Sequence, residues 1–203
     1  MKRPVILAAT LALAACSCPA QAVADPWHHD IVATTFWVGE IFDPNTADGS
    51  QEVSAYDPNW MQNYGGCDGV MRGGSCETEP RDASNGYFPK HVTPRQNPFY
   101  LDLPVLDPTL KNRWVEIHKD DRTCFGQVQD AGPAVYDDHD YVFGTARPRN
   151  KRFNGSGMDV SPALNGCLGF ADLNGSSDRV DWRFVDVPPA GPWTRIITTS
   201  PAS

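Results

Sequence analysis

Five aspartates fall between positions 130 and 159, and carboxylates grouped this way can transfer protons, hold a cation or anchor backbone amides. Asp130 follows an alternating run, with Phe125, Gln127 and Gln129 set against Cys124, Gly126 and Val128. The chain breaker Ala131-Gly132-Pro133 comes next. Asp159 stands two positions before Ser161-Pro162, a pair suited to start a short helix over 161–168. Each acid also has a plainer use: Asp130 can close an Asx turn, and Asp159 can cap that helix or bond loop amides. Asp137, Asp138 and Asp140 form either a solvated acidic loop or, with Asp130, a calcium site. Their spacing lacks the regular pattern of a calcium-binding loop, so no metal and no cofactor is expected. No GxSxG segment follows a strand, which leaves a Ser-His-Asp hydrolase unsupported.

The elements that must position these acids are short strands. β-Branched and aromatic residues mark them at 33–42, 99–103, 113–118, 123–129, 180–185 and 194–199. Lys119-Asp120-Asp121-Arg122 joins the third and fourth into a hairpin, and a rigid proline-rich turn at 187–192 precedes the last. Asp57 can cap a short helix from Pro58. Residues 25–33 show no period, and their His28-His29 pair reads as part of a mobile lead-in rather than a metal site. Residues 65–98, rich in glycine and proline, read as an ordered loop stapled by a local Cys67–Cys76 bridge; zinc is the alternative for two isolated cysteines. The whole predicts a mainly β chain: a closed six-stranded barrel with one or two short helices and long loops, in a single domain over 25–203. Cys124 and Cys167 are the preferred second pair among the three pairings that four cysteines allow.

Residues 1–24 read as a secretory signal: Lys2 and Arg3, an apolar run over 5–15 too short to span a bilayer, then small residues. Cleavage after Ala24 leaves an even set of four cysteines, whereas a lipobox-like Leu13-Ala14-Ala15-Cys16 would lipidate Cys16 and leave Cys18 odd. Cleavage after Ala24 is preferred, and on either route the protein is secreted, periplasmic or in the cell envelope. The formal charge of −8 becomes −10 once Lys2 and Arg3 are removed, because residues 1–24 hold no acids. That field opposes binding to nucleic acid and to anionic membrane surfaces, while a neutral polymer such as a polysaccharide meets no such barrier. Six tryptophans, all after Ala24, and six tyrosines suit either sugar stacking or ordinary packing. A monomer without a membrane span is expected.

The order strand, Gln129-Asp130-Ala131-Gly132-Pro133, acidic loop, Met158-Asp159-Val160-Ser161-Pro162-Ala163-Leu164, short helix, Leu168-Gly169 resembles the double-psi β-barrel family. The pattern is similar to that of rare lipoprotein A-like lytic transglycosylases, and expansins and barrel-type endoglucanases share the arrangement. Ala131 stands where rare lipoprotein A has arginine, and its groove histidine has no counterpart here. Asp140-Tyr141-Val142-Phe143-Gly144 resembles a segment of membrane-bound lytic transglycosylase A. The resemblance implies a double-psi barrel acting on a peptidoglycan or cellulose-like glycan, as a lytic transglycosylase or glycoside hydrolase. It implies Asp130 as acid/base, Asp159 as its partner with mutual repulsion raising one pKa, and Asp140 in reserve. Thr35, Trp37 and Tyr141 become groove contacts. A non-catalytic, expansin-like glycan-binding module is the alternative the same resemblance allows.

Overall fold

The computed structural model describes residues 25–36, 38, 53–60, 99–172 and 175–194, together with the backbone of 69–72 and 75–78. Six strands close into a mixed barrel in the order β1-β7-β4-β6-β5-β8, where β1 is His28–Thr35, β4 Tyr100–Leu103, β5 Trp114–Lys119, β6 Arg122–Ala131, β7 Met158–Val160 and β8 Arg179–Val185. Closure leaves no sheet edge unpaired in the barrel, which is how a chain of short strands satisfies its backbone without a second sheet. Two neighbouring pairs are parallel, β1 with β7 and β4 with β6, and the rest are antiparallel.

Period-two burial fills the barrel. Val115 and Ile117 on β5, and Val180, Trp182 and Phe184 on β8, point inward while their neighbours are partly or fully exposed. Ile31, Ala33, Leu101, Leu103, Val128, Met158 and Val160 complete the same core. The β5–β6 hairpin turns at Asp120–Asp121, with Asp120 at φ 54°, a left-handed conformation that aspartate tolerates and tight hairpins demand.

The two helices are short. α1 is His139–Val142, and α2 is Pro162–Leu168. The Leu164 amide donates to the Ser161 hydroxyl, Pro162 takes the first turn, and Gly169 ends the helix at φ 68°. Helix α2 lies directly on β6: a Cβ at Gly126 would stand 2.7 Å from Leu164, so only glycine allows that approach. A Cys124–Cys167 disulfide, with Cα atoms 6.3 Å apart, ties the same two elements.

Three expectations need correction. The first strand begins at His28 rather than 33, because His28, Ile31 and Val32 pair with β8 through a bulge at Asp30 (φ 55°) that erases the alternation of residues 28–31. The sixth strand is Met158–Val160, hidden by its length of three residues. Pro192–Thr194 is a 3-10 turn, and the expected strand over 194–199 lies otherwise outside the described residues. Within 65–98 there is a hairpin, β2 (Gly69–Arg72) with β3 (Ser75–Thr78). The Cys67–Cys76 bridge falls outside the described residues, Cys76 being placed only as backbone in β3. Among the described residues, no helix is long and apolar enough to cross a membrane.

Candidate active site

Four side chains form a row across adjacent strands. In register, Thr34 on β1 is opposite Asp159 on β7, Asp159 is opposite Asp102 on β4, and Asp102 is opposite Asp130 on β6. The last pairing depends on a register shift between Leu101 and Asp102, which skips Gln129 and brings Asp130 to Asp102 instead. Bulges commonly re-aim a side chain in this way beside working sites. Thr34, Asp159 and Asp102 alternate with the core residues Ala33, Met158, Val160, Leu101 and Leu103, so the row lies on the outer face of the barrel wall.

A strap covers it. Residues 53–60 carry a tight bridge between Ser54 and Asp57, and the Ala55 amide donates to Asp130 Oδ1 at 2.6 Å. The Tyr56 hydroxyl donates to the Val105 carbonyl, and Lys111 Nζ donates to the Tyr56 carbonyl. Trp60 packs with Phe36, Val38 and Tyr100 in a small aromatic cluster. Pro58 and Asn59 form a turn, with the Asn59 amide on Asp57 Oδ1; Trp60 is helical, and the rest of the helix expected from Pro58 lies outside the described residues.

Burial dominates the electrostatics. Asp130 is 6% exposed, and loss of solvent pushes its pKa up to about 7 against the pull of the Ala55 and Ala131 amides. Asp102 is 3% exposed and raised well above the usual carboxylate range, by burial first and then by the charges of Asp159 and Asp130. Its Oδ1 accepts the Asp159 amide at 2.9 Å, which opposes the rise. Tyr56 is pushed up to about 12, chiefly by burial and further by the charges of Asp130, Asp102 and Asp107. Mutual repulsion with Asp159 was the expected cause for Asp130; burial is the one the geometry supplies. Asp159 is half-buried, and the Thr34 hydroxyl donates to its Oδ1. Thr34 also bonds Ser156, whose hydroxyl donates to the Met158 carbonyl at 2.9 Å.

The sequence-derived candidates therefore separate. Asp130 and Asp159 belong to one row, joined through Asp102. Asp140 is exposed on α1, and its carbonyl accepts the Ala146 amide. Tyr141 is wholly buried, donating to the Gly157 carbonyl and accepting from the Trp182 indole, so it offers no surface to a substrate. Thr35 accepts from Asn165 Nδ2 at 2.8 Å, and Trp37 lies outside the described residues. The acidic loop is held by Arg149, which pairs with Asp137 and with buried Asp138. Among the described residues, no group of three or more ligating side chains is arranged to hold a metal. Ser161, not Asp159, caps α2. The row members missed from sequence are Asp102 and Thr34. The signal for Asp102 was a lone acid inside the apolar stretch Phe99-Tyr100-Leu101-Asp102-Leu103. No protein-family model matches the chain, and no curated protein matches its sequence.

Proposed function

We propose that this is an exported, glycan-active protein built on a double-psi barrel, cleaving a cell-wall polysaccharide as a lytic transglycosylase or glycoside hydrolase with an aspartate acid/base. The observation that carries the reading is a carboxyl group, Asp130, whose pKa of about 7 keeps part of its population protonated at neutral pH, two strands from half-buried Asp159. Breaking a glycosidic bond needs such a donor for the leaving oxygen. Two strand spacings put the backbones of Asp130 and Asp159 about 10 Å apart. An acid two strands from a second carboxylate suits either a donor with a water-activating partner or a single acid assisted by the sugar's own hydroxyl. The two parallel pairs in the closed barrel support a double-psi arrangement, and the Cys124–Cys167 bridge supports an oxidising compartment.

A second reading, an expansin-like module that binds glycan without cleaving it, is favoured by one feature. Asp130 Oδ1 accepts two amides beneath the strap, which is how a carboxylate anchors a loop. Incubation with peptidoglycan and with cellulose, followed by mass spectrometry of the soluble products, separates the two. Anhydro-sugar ends from peptidoglycan mark a lytic transglycosylase, and reducing sugars from cellulose mark a hydrolase. Sedimentation with the polymer and no new chain ends supports the binding module; neither product nor binding removes both readings.

A further inference from the structure

We propose that Asp102 is a positioning residue of this site, a carboxyl group that stays uncharged between Asp130 and Asp159 and holds the Asp159 strand and the turn after Asp130 in place. The inference rests on reading the row as a proton-transferring site. Asp102 is the row member with a carboxyl group on each side, on β6 and on β7. Its two oxygens have separate tasks. Oδ1 takes the Asp159 amide and so anchors the three-residue β7 from the side as well as through the ladder. Oδ2 lies 2.6 Å from where a Cβ on Gly132 would stand, so the turn after β6 closes over this oxygen only because residue 132 is glycine.

Among the described residues, the titratable groups that act on Asp102 are Asp130 from β6, Asp159 from β7 and, from the strap, Tyr56, with no cation among them. A second charge about 5 Å from a first costs about 3 kcal/mol at an effective dielectric constant of about 20. Ionising Asp102 between two carboxylates is therefore opposed twice, before its desolvation is counted.

Carboxyl-carbon NMR titration of the mature chain tests this without a substrate. In wild type, the Asp102 resonance is expected to keep its protonated position well above the usual carboxylate range, while Asp130 titrates around 7. Asp102→Asn, neutral and of the same shape, is expected to leave the Asp130 midpoint within about half a unit of wild type. Gly132→Ala, which displaces Oδ2, is expected to move the titrations of both flanking acids. An Asp102 midpoint in the ordinary carboxylate range overturns the proposal. So does a fall of more than about one unit in the Asp130 midpoint in Asp102→Asn, or a folded Gly132→Ala with unchanged titrations. The resonances need no glycan, so absence of product alongside the expected titrations retires the glycan reading and leaves the role of Asp102 standing.

Discussion

The barrel carries acids on two of its walls and treats them oppositely. On the β5–β8 wall, Glu116 accepts from Arg183 at 2.7 and 2.9 Å and pairs with His118 at 2.7 Å. Burial alone would raise Glu116, but those donors outweigh it and hold its pKa below the usual range. Asp181 is likewise held down by His29 and the Asp30 amide against its own burial. On the β4–β6–β7 wall, Asp102 and Asp130 are buried more deeply, and among the described residues the groups acting on them include no cation. One wall uses charge for stability; the other holds carboxyl groups in a state that folding alone does not favour. Acids kept protonated at a stability cost are characteristic of sites retained for chemistry.

The contrast can be broken at either wall. Asp130→Asn and Asp159→Asn are expected to reduce product release about 10²–10⁴-fold with the fold intact, as judged by circular dichroism. The next effect is on pH-dependent stability. Asp130 binds its proton more tightly folded than unfolded, so between about pH 4 and 7 the folded state holds the extra proton. Wild-type stability should then fall as pH rises through that window, Asp130 contributing up to about 4 kcal/mol and the raised Asp102 adding to the decline. Asp130→Asn should remove the Asp130 share of this slope in urea titrations across pH, leaving that of Asp102. Glu116→Gln has the opposite sign: it should cost about 1 kcal/mol at pH 7, and the difference from wild type should vanish as pH falls through the lowered pKa of Glu116. Asp181→Asn, whose pair with His29 is largely exposed, should change stability by no more than about 0.5 kcal/mol in the same titrations.

Much of the barrel could be read from residue types. The strands at β4, β5, β6 and β8 announce themselves by β-branched and aromatic residues, and the helix start by Ser161-Pro162. What escaped did so for local reasons. A bulge at Asp30 disguised the start of β1, and β7 is too short to show a period. Asp130 and Asp159 stood out because they flank breakers and caps, whereas Asp102 looked like the outward residue of an apolar strand. Only the register, shifted beside Leu101, shows that this outward position is covered and faces two other acids. Tyr141 was a groove contact only through the resemblance of residues 140–144 to a known segment, and Trp182 and the Gly157 carbonyl satisfy its hydroxyl inside the core.

The most direct test follows glycan cleavage against pH, from 5 to 9, with wild type and Asp130→Asn side by side on peptidoglycan and on cellulose. A general acid that loses its proton near 7 should give wild-type product release that declines as pH rises through about 7, with little from Asp130→Asn at any pH. Product release that is level across the range, or equal in the folded variant, would contradict the assignment of Asp130 as the proton donor.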